Sequence, residues 1–148
     1  MAHRDNDPFA SFNFLLESGG LIQAGFSECT GLNSETNIIE YREGRDDATM
    51  RKLTGLNKYG NVTLKRGVGT GIQMFEWRRM VKEPSDEPTR EPRRNISIIL
   101  LDEKRTEAAR YNLKNAWPSK WTGPDFKASA NETAIEQLEL CHEGVTIG

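Results

Sequence analysis

Two histidines and two cysteines are the residues of this chain best suited to hold a metal or to act as a nucleophile. Cys141 and His142 are adjacent, whereas Cys29 and His3 lie far from them in the sequence. Zinc sites take their ligands in pairs at short fixed spacings, and this sequence has no such pair. Neighbouring residues of a strand project to opposite faces, so Cys141 and His142 are poorly placed to work as nucleophile and base. We therefore expect reduced thiols, a surface or interface histidine, no metal and no cofactor.

A glycine-rich segment invites comparison with phosphate-binding loops. Gly67, Gly69 and Gly71 alternate with other residues directly before a predicted helix, where backbone N–H groups can bind an anion. The segment lacks the spacing of a dinucleotide fingerprint and the Lys-Ser/Thr ending of a nucleotide-binding loop. We interpret it as a plain turn between a strand and a helix.

Paired charges are the remaining candidates for acid–base or phosphate chemistry. The carboxylates at 46–47 and 102–103 lie in turns rich in arginine and lysine, where opposite charges lower the pKa of a carboxyl and leave no general acid. The arginine pairs at 78–79 and 93–94 have acidic neighbours, which favours a solvated face over a phosphate site. No nucleophile–base pair remains, so we expect a protein that is not an enzyme.

Composition and charge narrow the class further. The 148 residues, of which 36% are hydrophobic and 28% charged, suit a single folded domain over 1–148. A formal net charge of -2 gives no basic field that would attract nucleic acid. The N-terminus lacks the layout of a secretory signal and no apolar run reaches membrane-spanning length, so we expect a chain made in the cytoplasm without a membrane anchor.

The elements that must position these residues are mostly strands. Apolar and polar residues alternate at 12–16 before a turn at 18–20, which predicts the first strand. One helix is predicted to begin near Thr70, which resembles a capping box with Gln73, and to end before Pro84. Further strands are predicted at 21–28, 37–43, 61–66, 96–101, 108–117 and 132–142. Short strands at this spacing with one helix favour a mainly β fold, an antiparallel barrel or sandwich.

Three segments carry more specific expectations. Residues 96–101 are nearly all apolar, so that strand is predicted to be central with both faces covered. Residues 44–60 are charged and punctuated by glycine, which predicts an exposed loop or extended hairpin that reaches another molecule. Residues 83–94 mix proline with charge and are predicted to be a solvated connector.

Both halves of the sequence contain short motifs that can be compared with known families. In the N-terminal half they are DPF at 7–9, FNF at 12–14, AGFSECTGL at 24–32, EYREG at 40–44, RKLTGL at 51–56 and KYGNVTLKRG at 58–67. In the C-terminal half they are NLKNAWP at 112–118, KW at 120–121, GPD at 123–125, NE at 131–132 and IEQLELCHEG at 135–144. Together these motifs resemble the phage-type tail-tube proteins of contractile injection systems. The resemblance spans roughly Asp7 to Gly144 and follows the family's order and spacing, although the connector at 83–94 is longer and richer in proline and charge.

This resemblance implies a tail-tube-like fold, a β-barrel protomer with one helix that closes into a hexameric ring. Rings would stack into a hollow inner tube, which contraction of a sheath drives through a target envelope while cargo passes through the lumen. The implied partners are further copies of the chain, a sheath protein, baseplate or hub and tube-cap proteins, and a luminal cargo of protein effector or DNA. By the same resemblance, contacts between subunits and rings are expected at Tyr41, Arg42, Glu43, Arg51, Lys52 and Tyr59.

The setting and two other functions stay open at this point. After assembly in a bacterial cytoplasm the chain is expected in a virion or an extracellular injection particle, and we favour a toxin-delivery particle. A secreted hexameric ring protein of a type VI-like secretion system, acting as an effector carrier, would share the barrel and the ring. A small β-barrel ligand-binding protein or enzyme would instead need a pocket with converging polar groups.

Overall fold

The computed structural model describes residues 13–42, 44, 49–67, 72–83, 86–87, 91–125 and 134–148, and at residues 21 and 22 the backbone alone. Within these ranges the chain forms ten strands and one helix. In chain order they are β1 (Phe14–Ser18), β2 (Leu21–Phe26), β3 (Glu28–Thr30), β4 (Glu35–Tyr41), β5 (Arg51–Lys58), β6 (Val62–Gly67), α1 (Gln73–Lys82), β7 (Arg94–Leu101), β8 (Glu107–Thr122), β9 (Ile135–Cys141) and β10 (Val145–Ile147). The pairings are antiparallel, which confirms the predicted mainly β, antiparallel class.

One eight-stranded sheet curls into a barrel. Its strand order is β2-β1-β7-β8-β9-β6-β3, with β10 paired to β8 beside this path. β2 and β3 stand at opposite ends of that order, yet only Ser27 separates them in the chain. The two ends of the sheet must therefore meet, and the N–H of Ser27 donates to the carbonyl of Lys65 on β6 at 2.9 Å. Closure of this kind leaves few sheet edges open to unwanted pairing.

Strand β8 turns a corner of the barrel. Its first part pairs with β7 and its last part with β9. Between them Asn115 adopts φ 49°, in the left-handed region where asparagine is tolerated. Its N–H donates to Asn95 Oδ1 at 3.0 Å, and its side-chain amide donates to Glu143 Oε2 at 2.6 Å. The strand predicted at 108–117 is therefore only part of a strand of 16 residues, which continues past a register shift opposite Asn95 and then pairs with β9.

The barrel interior is apolar over most of its length. On β6 and β9 alternate residues point inward, so Val62 lies opposite Leu140 and Leu64 opposite Leu138, each at most 1% exposed. Further core residues are Leu16, Ala24, Phe26, Met74, Trp77, Ile96, Ile98, Leu113 and Ala116. Burial of these side chains is the main force that holds the sheets and the helix together.

The same ladder carries one charged pair inside the barrel. Arg66 lies opposite Glu136, and its Nε is 3.3 Å from Glu136 Oε2. The second carboxylate oxygen accepts a hydrogen bond from Trp121 Nε1 at 2.7 Å, and the Arg66 guanidinium lies 5.9 Å from the centre of the Phe26 ring. Both charges are buried and satisfied within the fold, which is what a buried pair requires.

Helix α1 packs on the barrel through its two buried residues, Met74 and Trp77. The Trp77 Nε1 also donates to the carbonyl of Pro92 at 2.6 Å. The predicted capping box is not formed as expected. Gln73 is the first helical residue, and the N-cap position is held by Ile72, which makes no side-chain cap hydrogen bond. Thr70 lies outside the described residues.

Strand β7 is central, as predicted. It lies between β1 and β8, and its Ile98 points into the main core. Ile99 points to the opposite face, where it packs with Leu15 in a second, smaller cluster. The nearly continuous apolar run at 96–101 thus reflects burial on both faces.

Two strand ends differ from the sequence prediction. The return strand predicted at 21–28 is interrupted at Ser27, where the chain passes from one end of the sheet to the other. The predicted strand at 132–142 omits β10, because three residues are too few for an alternation to be recognised.

Candidate inter-subunit surface

Strands β4 and β5 form a two-stranded sheet of their own, which in the described part of the chain pairs with no barrel strand. We call residues 35–58 the hairpin arm. Ile39 lies directly opposite Leu53 on one face, and Ile38 lies on the other. An isolated two-stranded hairpin is marginally stable in water, so such an arm needs something to pack against.

Most of the large apolar side chains that are exposed among the described residues lie on the arm. Leu56 is 78% exposed and Ile38 67%, values far above those of core residues. Ten large hydrophobic side chains are exposed among the described residues, and six of them lie here: Ile38, Ile39, Tyr41, Met50, Leu53 and Leu56. Large apolar side chains exposed on both faces of a two-stranded arm indicate an interaction site.

Charges of both signs accompany the apolar residues along the arm. Glu40 lies opposite Lys52, and Lys58 Nζ is 3.9 Å from Glu35 Oε2. A surface that mixes apolar groups with both signs of charge resembles the contact surfaces between proteins and lacks the uniform basic field of a nucleic-acid interface.

The root of the arm is fastened to the barrel. The N–H of Gly60 donates to Asn33 Oδ1 at 2.8 Å, and the carbonyl of Gly60 is 3.1 Å from His142 Nε2. The His142 ring also contacts the Tyr59 ring, with centroids 5.4 Å apart. His142 is buried and serves as an anchor point for the arm, so its geometry favours a structural role.

The cysteines have separate surroundings. Cys29 lies on β3 and Cys141 on β9, on either side of β6, and both are free thiols. Burial raises the pKa of Cys29 to about 11, which keeps it protonated and unreactive at neutral pH. Cys141 Sγ donates to Asn61 Oδ1 at 3.4 Å. Among the described residues no three His, Cys, Asp or Glu side chains cluster as metal ligands would.

The paired charges resolve into structural contacts. The pKa of Asp102 is lowered first by the hydrogen bond from the Thr106 hydroxyl, at 2.6 Å, and then by N–H donors of the same turn. The predicted cause, neighbouring opposite charges, is therefore wrong for this carboxyl. Arg94 lies over the Trp77 ring at 5.5 Å. The carboxylates at 46–47 and the glycines at 69 and 71 lie outside the described residues.

Comparison with known proteins decides the family. The family described as T4-like virus tail tube protein gp19 matches residues 10–146 of this chain. The chain belongs to that family. No curated protein sequence is similar enough to the tail tube chain to count as a match. Among the described residues, no helix has both the length and the apolar character needed to cross a membrane.

Solved structures share the tail tube fold over nearly the full length. A chain in the cryo-EM structure of the anti-feeding prophage cap, described as the tube terminating cap, is 29% identical with a TM-score of 0.74, covering 100% of this chain and 94% of that one. A chain in the PVC sheath–tube complex in the extended state is 25% identical with a TM-score of 0.76, covering 97% and 93%. The tail tube chain is therefore a structural tube protein, as the sequence predicts.

A more distant similarity concerns the fold alone. Hcp1 from Flavobacterium johnsoniae is 15% identical to the tail tube chain, with a TM-score of 0.54 over 93% of this chain and 95% of that one. The barrel with one helix is thus shared with this protein, while at this identity the function is not carried over.

The residues predicted to make contacts in the tail tube protein fall in two places. Tyr41, Arg51 and Lys52 lie at the end of the arm near its turn, and Arg42 directly follows β4. Tyr59 lies instead at the root of the arm, against His142. Glu43 is outside the described residues.

The sequence interpretation undervalued the apolar residues of the arm. Ile38 and Ile39 lie within the strand predicted at 37–43, and Leu53 and Leu56 lie within the segment 44–60, which was predicted to be exposed because of its charges and glycines. The available signal was the combination of apolar residues on both faces of a segment with no second apolar segment to cover it.

Proposed function

We propose that this tail tube protein closes into hexameric rings, which stack into the inner tube of a contractile injection particle. The exposed apolar surface of the hairpin arm carries the proposal, since a barrel that folds alone has no use for an arm of this kind. In the ring the arm packs against a neighbouring copy and buries Ile38 and Leu56, while Tyr41, Arg42, Arg51 and Lys52 contact the adjacent subunit or ring.

The function is mechanical. A sheath around the tube contracts and drives the rigid tube through a target envelope, and baseplate and cap proteins close its ends. The closed barrel suits this role because closure leaves few sheet edges open to unwanted pairing. The lumen carries a protein effector or DNA, and we favour a toxin-delivery particle outside the cell, in line with the extracellular injection particles among the similar structures.

We further propose that the chain has no catalytic activity. A groove of about 620 Å³ beside the arm's root is lined by residues of β7, β8 and β10 together with Tyr59. Its Ser97 hydroxyl hydrogen-bonds Asn112 Oδ1 at 2.6 Å, and an amide oxygen is no general base. Glu143 is engaged by the Asn115 amide. The polar groups of this groove therefore stabilise the sheet.

A matched pair of variants tests the arm. Leu56→Glu places a charge on the arm at a side chain 78% exposed, and Ile147→Glu does the same on β10 at one 77% exposed. Neither change disturbs the core, so a difference in assembly between the two variants indicates a contact with another protomer. We expect light scattering to give ring mass for the wild type and Ile147→Glu, and protomer mass for Leu56→Glu. If the two variants gave the same mass, the arm would not be part of the interface between subunits.

A further inference from the structure

An open groove of about 330 Å³ lies between helix α1 and the end of β8, away from the hairpin arm. The helix contributes the first wall and the strand the second. Its lining residues are Phe75, Arg78, Arg79, Lys82, Glu83, Ser119, Lys120 and Trp121. We call this the helix groove.

The helix groove is basic although the chain is not. Four basic side chains face one carboxylate there, whereas the whole chain has a formal charge of -2. Arg79 forms two ion pairs, with Nη1 3.4 Å from Glu76 Oε2 and Nε 3.1 Å from Glu83 Oε2. In the described part of the chain, Arg78, Lys82 and Lys120 are not placed in any ion pair, so their charges are available to a ligand.

An aromatic pair gives the helix groove an apolar wall. Phe75 and Trp121 meet edge to face with ring centroids 5.1 Å apart, and Phe75 is 42% exposed. The Trp121 ring is held in place because its Nε1 donates to Glu136. Ile72, at the start of the helix, is 66% exposed. A fixed aromatic wall next to basic side chains that are unpaired among the described residues is suited to bind a peptide segment in which an apolar side chain is flanked by acidic residues.

We propose that the helix groove docks an acidic segment of a different protein, anchored by an apolar side chain against Phe75 and Trp121. This goes beyond ring assembly, which the hairpin arm serves. Charge complementarity favours an acidic occupant, and several carboxylates that a second copy could offer are already paired with bases of their own chain. Examples are Glu17 with Arg110, Glu28 with Lys65, Glu35 with Lys58 and Glu107 with Arg110.

Nucleic acid fits the helix groove less well. Phosphate backbones are bound by extended rows of lysine and arginine, and here Glu83 interrupts a short cluster on a chain of net negative charge.

Binding of a defined probe tests the proposal. A short fluorescein-labelled peptide of Glu, Asp and Leu is titrated with the purified full-length chain and followed by anisotropy. We expect saturable binding that weakens at high salt, and an affinity about tenfold lower for Arg78→Glu with Lys120→Glu. The matched control, Lys104→Glu with Lys114→Glu, reverses two exposed lysines elsewhere and should bind as the wild type does. Phe75→Ala should weaken binding without changing its salt dependence.

Several outcomes would overturn the proposal. They are equal binding of a peptide with Gln and Asn in place of the acids, an equal loss in the control variant, or tighter binding of oligothymidylate. Circular dichroism confirms that each variant folds. If the peptide bound the unassembled arm variant Leu56→Glu but not assembled wild-type rings, a second copy would cover the helix groove in the ring. That result would also contradict a different protein as the occupant. Because the probe binds a site outside the arm, loss of ring assembly alone would leave the expected binding intact.

Discussion

The buried pair of Arg66 and Glu136 lies among the core side chains, where removal of one partner leaves the other charge uncompensated. The carboxylate accepts hydrogen bonds from both Arg66 and Trp121. Glu136→Met keeps the volume and removes both acceptors, so we predict a loss of about 3–5 kcal/mol in the free energy of unfolding. Glu103→Gln, in an exposed turn, should change it by less than about 0.5 kcal/mol. Urea unfolding followed by tryptophan fluorescence, at equal protein concentration, measures both, and similar values for the two variants would refute the role of the pair.

A second ion pair, between Glu17 and Arg110, makes stability depend on pH. Arg110 Nη1 and Nη2 donate to the two Glu17 oxygens at 2.8 and 3.2 Å, and this hydrogen bonding lowers the pKa of Glu17 in the fold. The folded pKa then lies below the unfolded value of about 4.3, so the contribution is present above that value and lost as the pH falls through the folded pKa.

We therefore predict that Glu17→Gln lowers the free energy of unfolding by about 0.5–1 kcal/mol near pH 7, a small effect because solvent reaches both side chains. The difference from the wild type should shrink below about pH 4. Urea unfolding across this range measures it. A difference that persists unchanged at the lowest pH would mean that the carboxylate charge is not its source.

Residue-scale prediction from the sequence succeeded where periodicity decides. Alternation predicted the strands at 61–66 and 132–142, and in the structure their apolar residues Val62, Leu64, Leu138 and Leu140 are buried in the core. Alternation could not predict that Arg66 and Glu136 form a pair. The two residues are 70 positions apart in the chain, and their contact depends on the register between β6 and β9. Likewise, Asp102 was correctly assigned to a turn, but its hydrogen bonds with Thr106 depend on a turn geometry that composition does not reveal.

At the scale of elements, the root of the hairpin arm should control how firmly the arm is held. Asn33→Ala removes the hydrogen bond that Gly60 donates, at 2.8 Å, and we predict about tenfold faster amide exchange across residues 35–58. Asn95→Ala removes an equivalent bond from Asn115, at 3.0 Å, and should leave the arm unchanged. Hydrogen exchange measured by mass spectrometry on unassembled protein compares them. Equal exchange of the arm in both variants would contradict the anchoring role of Asn33.

Most elements were predictable, and their connections were not. Periodic patterns located β1, β2, β4, β6, β7, β8, β9 and the helix, and the run at 96–101 identified the central strand. β3 and β10 are too short for an alternation to be recognised, and β5 lies in the segment 44–60 that was predicted as a loop or extended hairpin. The passage through Ser27 from one end of the sheet to the other leaves no periodic signal, and neither does the bend of β8 at Asn115. Both follow from long-range closure of the barrel, which local patterns do not encode.

For the whole molecule, the sequence motifs and the fold agree on a tail tube protein. The barrel buries the core of the protomer, and the exposed apolar side chains of the arm are the observation from which we propose a neighbouring copy. The hexameric ring and its contacts are the central proposal, since tube function depends on them.

Electron microscopy of the purified wild-type protein, with class averages of end views, tests that proposal most directly. We predict rings of six copies that stack into tubes with increasing concentration, each arm lying against the adjacent copy. A protein that stays a monomer at every concentration, or rings in which the arms project freely into solvent, would contradict it.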